Sequence, residues 1–281
     1  MLRSLWIKVP TVVLALAAFW WLDGMLAIVT SVGIFLAGSA LLMALVLHPN
    51  ASAWAKTVWR SRKDTDAVAL TFDDGPDPAS TLAIADILAD RGVRAAFFVV
   101  GDRVKAHPEI VRALHEAGHL VCNHTQTHSV SFHFSLWGRA RRELRACNRA
   151  IASLIGKEPT LFRSPQGIKN PALGDVLGEL DMTAVGWDVR GLDSMSDDAA
   201  AIERRIVPRA RPGGVIMLHD GTGLGGRDDR RATLEALPRI IDGLRARGFR
   251  FVRLDELLEV DPYRAPSEAS SRPSATPLAT V

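Results

Sequence analysis

Two cysteines in 281 residues, Cys122 and Cys147, leave this chain without a disulfide framework, and their spacing matches no metal-binding pair. Two buried free thiols are the expected state. No period repeats along the chain, and its 22 glycines and 15 prolines follow no collagen order. With 48% hydrophobic and 23% charged residues it is not a disordered chain either. The net charge is small, +3, and unevenly placed. Residues 1–63 hold Arg3, Lys8, Lys56, Arg60, Arg62 and Lys63 against one acid, Asp23, a net +5 that leaves −2 for residues 64–281. The basic excess therefore belongs to the N-terminal segment, and no nucleic-acid partner is expected for the rest.

What the N-terminal segment has in plenty is apolar length. Met25 to Leu47 is an uncharged run of 23 residues, above the ~20 needed to cross a hydrocarbon core. Leu5 to Leu22 is apolar apart from Lys8, Pro10 and Thr11, and its Phe19, Trp20 and Trp21 suit a membrane interface. Asp23-Gly24 supplies a turn between the two. The pattern predicts a transmembrane hairpin within residues 1–47, spanning about 5–22 and 25–47, then a basic juxtamembrane linker over 48–65. Arg3 and Lys8 before the hairpin and Lys56, Arg60, Arg62 and Lys63 after it place both ends in the cytoplasm by the positive-inside rule. The expected location is a bacterial-type inner membrane, with membrane lipids as partners and the main domain on the cytoplasmic side; the periplasmic side is the alternative. Trp54 and Trp59 either rest on anionic headgroups with the basic residues or merely flank the hairpin.

From residue 66 the chain alternates short apolar runs with amphipathic stretches. Strands are predicted at 67–72, 94–100, 119–123, 160–164, 182–189, 214–219 and 249–254, with helices between them. Such alternation implies a mostly parallel sheet with its site at the carboxyl ends of the strands. Seven strands are one short of an eight-fold barrel. The domain is expected over 66–260, and the small, polar, Pro-rich residues 261–281 as a disordered tail.

Polar residues gather at those strand ends. The first strand runs into Asp73-Asp74-Gly75-Pro76-Asp77, where paired carboxylates are either chemistry or turn formers. The third runs into His124-Thr125-Gln126-Thr127-His128; histidines at i and i+4 share one face of a helical turn and either hold a metal or are simply solvated. Together they supply one carboxylate and two imidazoles, the ligand count of a catalytic zinc, with a second carboxylate to take a proton from water. Leu218-His219-Asp220-Gly221 puts another histidine on the same rim, FRSPQG brings Arg163, and GWDVRGLDS brings Asp193. His107, His115, His119 and His133 lack partners at ligand spacing and read as structural or solvated. GTGLGG at 221–226 lacks the following helix of a dinucleotide site and reads as a flexible loop beside the rim.

These five ordered motifs, TFDDGPD, NHTQTH, FRSPQG, the stretch to Asp193, and MLHDG, resemble those of the NodB-like polysaccharide deacetylases of the fourth carbohydrate esterase class. The resemblance covers about residues 66–258 and implies an α/β fold, a distorted, incomplete (β/α)7-type barrel, holding a divalent metal, most often Zn2+. It assigns Asp74, His124 and His128 to the metal, Asp73 as general base and His219 as general acid. Arg163 would hold Asp73, and Asp193 would orient His219. Gln166 stands where Tyr is common, a position that contributes mainly a backbone N–H to the oxyanion site. Ser194 stands for the usual Trp and Met217 for Leu, so the substrate pocket departs from the pattern more than the machinery does.

The expected function is therefore a membrane-anchored, metal-dependent hydrolase that removes an N-acetyl or N-formyl group from an amino sugar in a lipid-linked sugar or envelope glycan precursor. One alternative is the same chemistry facing the periplasm, on peptidoglycan or an exported polysaccharide. Another, from a different class, is a catalytically silent glycan-binding or scaffold membrane protein.

Overall fold

The computed structural model describes residues 5–222 and 229–266. The chain opens with helices α1 (Leu5–Trp21) and α2 (Gly24–Leu47), joined at Leu22-Asp23. They pack antiparallel. Ser31 Oγ donates to the Ala15 carbonyl at 2.9 Å, and Gly38 is so close to Thr11 that a Cβ there would lie 2.4 Å from its side chain. A small residue at a crossing is what lets two apolar helices approach. At 1.5 Å per residue α2 is about 36 Å long, and its best window has a mean hydropathy of 2.2, long and apolar enough to cross a membrane. The other helix, at 17 residues, is shorter than the expected span.

The strands that follow are β1 (Thr57–Val58), β2 (Ala67–Asp73), β3 (Ala96–Val99), β4 (Leu120–Asn123), β5 (Glu158–Pro159), β6 (Leu161–Phe162), β7 (Thr183–Val185), β8 (Val189–Arg190), β9 (Val215–His219), β10 (Arg250–Phe251) and β11 (Tyr263–Arg264). The main sheet is parallel, in the order β1-β7-β6-β4-β3-β2-β9-β8, with β10 added on β2. It curls: β7 is next to one end of that order and β8 is the other end, yet only residues 186–188 separate them in the chain. The backbone N–H of Gly186 reaches Val58 and that of Asp188 reaches Val215, so the two ends of the sheet meet through this short link. The result is the expected incomplete barrel.

Helices α3 (Thr81–Asp90), α4 (Gly101–Ala106), α5 (Pro108–Glu116), α6 (Trp137–Ile155), α7 (Pro171–Glu179), α8 (Ala199–Ile206) and α9 (Arg231–Ala246) complete the layer outside the sheet, and short α10 (Leu254–Leu258) follows β10. Strand alternation divides the core. Val68, Leu70, Phe72, Phe97, Val99, Val121, Ile216 and Leu218 pack with the outer helices. Ala67, Ala69, Phe98, Leu120, Cys122, Leu161 and Val215 form a separate cluster with Leu254 and Leu257 of α10. Continuing that second parity to the carboxyl ends selects Asp73, His124, Arg163 and His219.

Three expectations change. The run predicted as one strand over 182–189 is two, because Gly186, against Asn50 and Trp59, takes the chain across the sheet's seam. Residues 48–65 are not a free linker: β1 pairs with β7, Trp54 is fully buried beside α7, and Asn50 exchanges two hydrogen bonds with the Trp187 backbone. Trp54 thus cannot lie on headgroups. Finally, the tail does not begin at 261, since β11 pairs with β5 and the Tyr263 hydroxyl accepts the Val121 N–H at 2.8 Å. The rest of the expected tail, residues 267–281, lies outside the described residues, as do 223–226 of the Gly-rich loop.

Candidate active site

Asp73 ends β2 and Asp74 follows it in a left-handed conformation, φ 77°, that turns its carboxylate away from its neighbour's. Gly75 makes this possible. A Cβ at that position would lie 1.9 Å from Asp220 Oδ2, and its N–H donates to Asp220 Oδ1 at 3.2 Å. The two histidines reach Asp74 from a loop rather than from the helical turn that their spacing suggests. Thr125 and His128 both have positive φ, and Asn123 Oδ1 accepts the Thr125 N–H at 2.8 Å. Glu143 on α6 accepts the N–H groups of Gln126 and Thr127, and the Thr125 hydroxyl accepts that of His128.

The outcome is a convergence. Asp74 Oδ1 lies 3.2 Å from His124 Nε2 and 3.1 Å from His128 Nε2, and one ligand atom from each residue falls within 4.8 Å of the others. His124 Nδ1 lies 2.8 Å from the Arg163 carbonyl, an acceptor, so Nδ1 carries a proton and Nε2 is the ring nitrogen turned toward Asp74. Burial pushes the Asp74 carboxyl up, but the hydrogen bonds from His124 and His128 outweigh it and hold the carboxyl well below its usual range. One carboxylate oxygen and two imidazole nitrogens sharing one point is a donor set that fits a divalent ion such as zinc.

Beside this cluster, Arg163 is fully buried and donates to Asp73 Oδ1 at 2.6 Å and Thr71 Oγ1 at 2.9 Å. Its remaining N–H groups reach the carbonyls of Val185 and Gly186, and its guanidinium lies 4.1 Å from the Phe98 ring centroid. On the other side, His219 Nδ1 lies 2.9 Å from Asp193 Oδ1, while Asp193 Oδ2 accepts the His219 N–H and the Thr233 hydroxyl. Burial depresses the His219 imidazole, but the Asp193 charge and hydrogen bond overcome this and raise it to about 9. Registers place Asp73 directly opposite His219 across the β2–β9 pair. All seven residues singled out by sequence therefore meet on one rim.

Asp220 was not among them. It is fully buried; burial drives its carboxyl up to about 7, against the hydrogen bond from Thr81 and with the Asp74 and Asp73 charges adding to the rise. It ties β9 to the loop around Gly75, and its position next to His219 was the available signal. Arg103, which donates to the Asp74 carbonyl at 2.8 Å, and Thr71 carried no sequence signal at all. Of the departures, Gln166 is left-handed (φ 55°) and exposed, with its side chain on His133, while Met217 is buried.

Comparison with known proteins gives the same direction. The family model for polysaccharide deacetylases matches residues 60–185. A peptidoglycan-N-acetylglucosamine deacetylase of Bacillus cereus is 32% identical over 216 residues, covering 76% of this chain and 98% of its own length. A chitooligosaccharide deacetylase of Sinorhizobium fredii is 36% identical over 204 residues, covering 70% of this chain and 94% of its own. Among solved structures, a peptidoglycan N-acetylglucosamine deacetylase superposes with a TM-score of 0.69 at 28% identity, covering 74% of this chain and 95% of that one.

Proposed function

The chain belongs to the polysaccharide deacetylase family, hydrolases of carbon–nitrogen bonds other than peptide bonds, and from that premise we propose a membrane-anchored enzyme that removes an N-acetyl or N-formyl group from an amino sugar. The substrate is a lipid-linked sugar or an envelope glycan precursor. The observation that carries the reading is the meeting of Asp74, His124 and His128 beside Asp73 and His219, each second-row partner in place.

Asp74, His124 and His128 would hold a divalent ion, zinc by donor type, which when bound polarises an amide carbonyl and acidifies water. Asp73 takes the proton from the attacking water. Arg163 occupies its Oδ1 and leaves Oδ2 as the acceptor. His219, its Nδ1 engaged by Asp193, presents Nε2–H to the leaving nitrogen. An amine departs only when protonated, and an imidazolium held to about 9 delivers that proton at neutral pH. The products are a free amino sugar and acetate or formate.

The basic flanks of the hairpin favour the cytoplasmic side for this domain. The names of the relatives favour a second reading, a periplasm-facing enzyme acting on peptidoglycan. A reporter fused after Val281 separates the two. The test of function is acetate or formate release from lipid-linked amino sugars by the full zinc-supplemented chain. Asp73→Asn is expected to slow it by about 10²–10⁴-fold. Asp74→Ala is expected to lose both release and bound metal; unchanged metal content would sink the site assignment.

A further inference from the structure

The end of α2 is wired to the rim that carries the chemistry. The Val46 carbonyl in its last turn accepts the Lys169 N–H at 3.3 Å, and the buried Lys169 ammonium donates to the Pro49 carbonyl. Lys169 belongs to the loop that follows Arg163, on the carboxyl side of β6. The next residue, Asn170, donates through Nδ2 to the His133 and Ser135 carbonyls at 2.8 and 3.1 Å. Residues 129–136, which begin one position after His128, are thus bonded to the loop that holds the helix end.

That segment is unusual for its surface. Val130, Phe134 and Leu136 are 58%, 85% and 67% exposed, and Met195, two residues beyond Asp193, is 78% exposed. Among the described residues outside the hairpin, the other strongly exposed large apolar side chain is Leu82, at 39%. Exposed apolar side chains thus concentrate on the loops beside the site instead of scattering, which marks an interaction surface. No carboxylate occurs from His124 to Arg142, and of the arginines that follow the apolar residues Arg141 is paired with Glu179 while Arg139 and Arg142 make no carboxylate pair among the described residues, an arrangement compatible with anionic headgroups.

We propose that the mouth of the active site faces the bilayer that α2 enters, with Val130, Phe134, Leu136 and Met195 seated in the headgroup–acyl boundary. The occupant is lipid because the segment carrying Val130, Phe134 and Leu136 is hydrogen-bonded, through Asn170 and Lys169, to the end of a helix long and apolar enough to lie in lipid. An amino sugar whose carrier is anchored in the same leaflet then meets the catalytic groups without leaving the surface. This rests on the membrane-anchored reading above and adds which face of the domain meets the membrane.

The test uses the full chain in vesicles of phosphatidylethanolamine and phosphatidylglycerol, with a polarity-sensitive thiol fluorophore at Phe134→Cys or, as control, Leu82→Cys. Cys122 and Cys147 are fully buried with thiols pushed up by burial, so they compete little for the label. The expected result is a blue-shifted signal, quenched by lipid-borne quencher, at 134 but not at 82. Equal exposure to water at both positions overturns the proposal, as does protection of 134 that follows protein concentration, which would mean a second copy. In the same vesicles Phe134→Ser with Leu136→Ser should lower release from a lipid-linked N-acetyl sugar by roughly tenfold. It should leave release from a soluble N-acetylglucosamine oligomer unchanged. Absence of release from both substrates by the unsubstituted chain, with the fluorescence contrast intact, would indict the hydrolase reading and spare the docking one.

Discussion

Taking a guanidinium out of water costs several kcal/mol unless its charge and donors are met. Arg163 meets them through Asp73, Thr71 and two carbonyls that close the barrel's seam, with the Phe98 ring against its face. Arg163→Met should therefore do more than remove an aid to catalysis. It leaves the Asp73 charge buried without its partner, a loss of roughly 3–5 kcal/mol, read as a fall in the unfolding midpoint together with loss of activity. His219 gives a pH signature. Its folded value of about 9 lies above the ordinary 6.5. The stability from its pairing with Asp193 is therefore complete below pH 6.5 and disappears as pH rises through about 9, and the acid form needed for amine departure is lost over the same upper limb. In Asp193→Asn the imidazole keeps its burial but loses the opposing charge. The alkaline fall in activity should then move toward neutral pH, and a limb that stays near 9 would show that His219 is not the acid.

Strand elements made much of the site legible. The alternation of β2, β4 and β9 carries the inward parity from Ala69, Cys122 and Met217 to Asp73, His124 and His219, and a reader of periodicity alone reaches those residues. Loop conformation was not legible. His124 and His128 converge because Thr125 and His128 are left-handed and Glu143, far along the chain, accepts two of the loop's N–H groups; the i,i+4 spacing suggested the right partners through the wrong geometry. Two-residue strands such as β1, β8 and β11 are shorter than any periodic signal. Close approach also escapes sequence, and Gly75 shows its consequence. Gly75→Ala must displace Asp220 or the Asp74 turn, and a shift of about 1 Å in a catalytic group costs on the order of 10²-fold in rate. Gly138→Ala, whose added Cβ would meet Arg142 at an ordinary 3.7 Å, should leave activity within a factor of two or so.

At the scale of the molecule, the division between the apolar helical hairpin and the deacetylase domain lies at residue 48, not at 64. Sequence composition puts the boundary after the last basic residue, because charge changes there. Packing puts it where the apolar helix ends, because the chain is built into the barrel from Asn50. Asn50 holds Trp187, Trp54 is buried so tightly against α7 that a Cβ on Gly174 would lie 2.0 Å from its carbonyl, and Thr57 and Val58 cover the edge of β7. A fragment of residues 48–281 keeps these contacts and loses mainly the Val46–Lys169 hydrogen bond, so it should fold with nearly the full chain's midpoint. A fragment of residues 64–281 loses a fully buried tryptophan, a loss of about 3–5 kcal/mol, and bares an unpaired strand edge. For a domain of this size each kcal/mol is worth about 2–4 °C, which puts the shorter fragment's midpoint roughly 6–20 °C below that of the longer one. Thermal unfolding of the two fragments side by side decides it. Equal midpoints would return residues 48–63 to the role of a plain tether. A large gap would mean that the segment leaving the hairpin is the same segment that closes the barrel, so hairpin and rim cannot move independently.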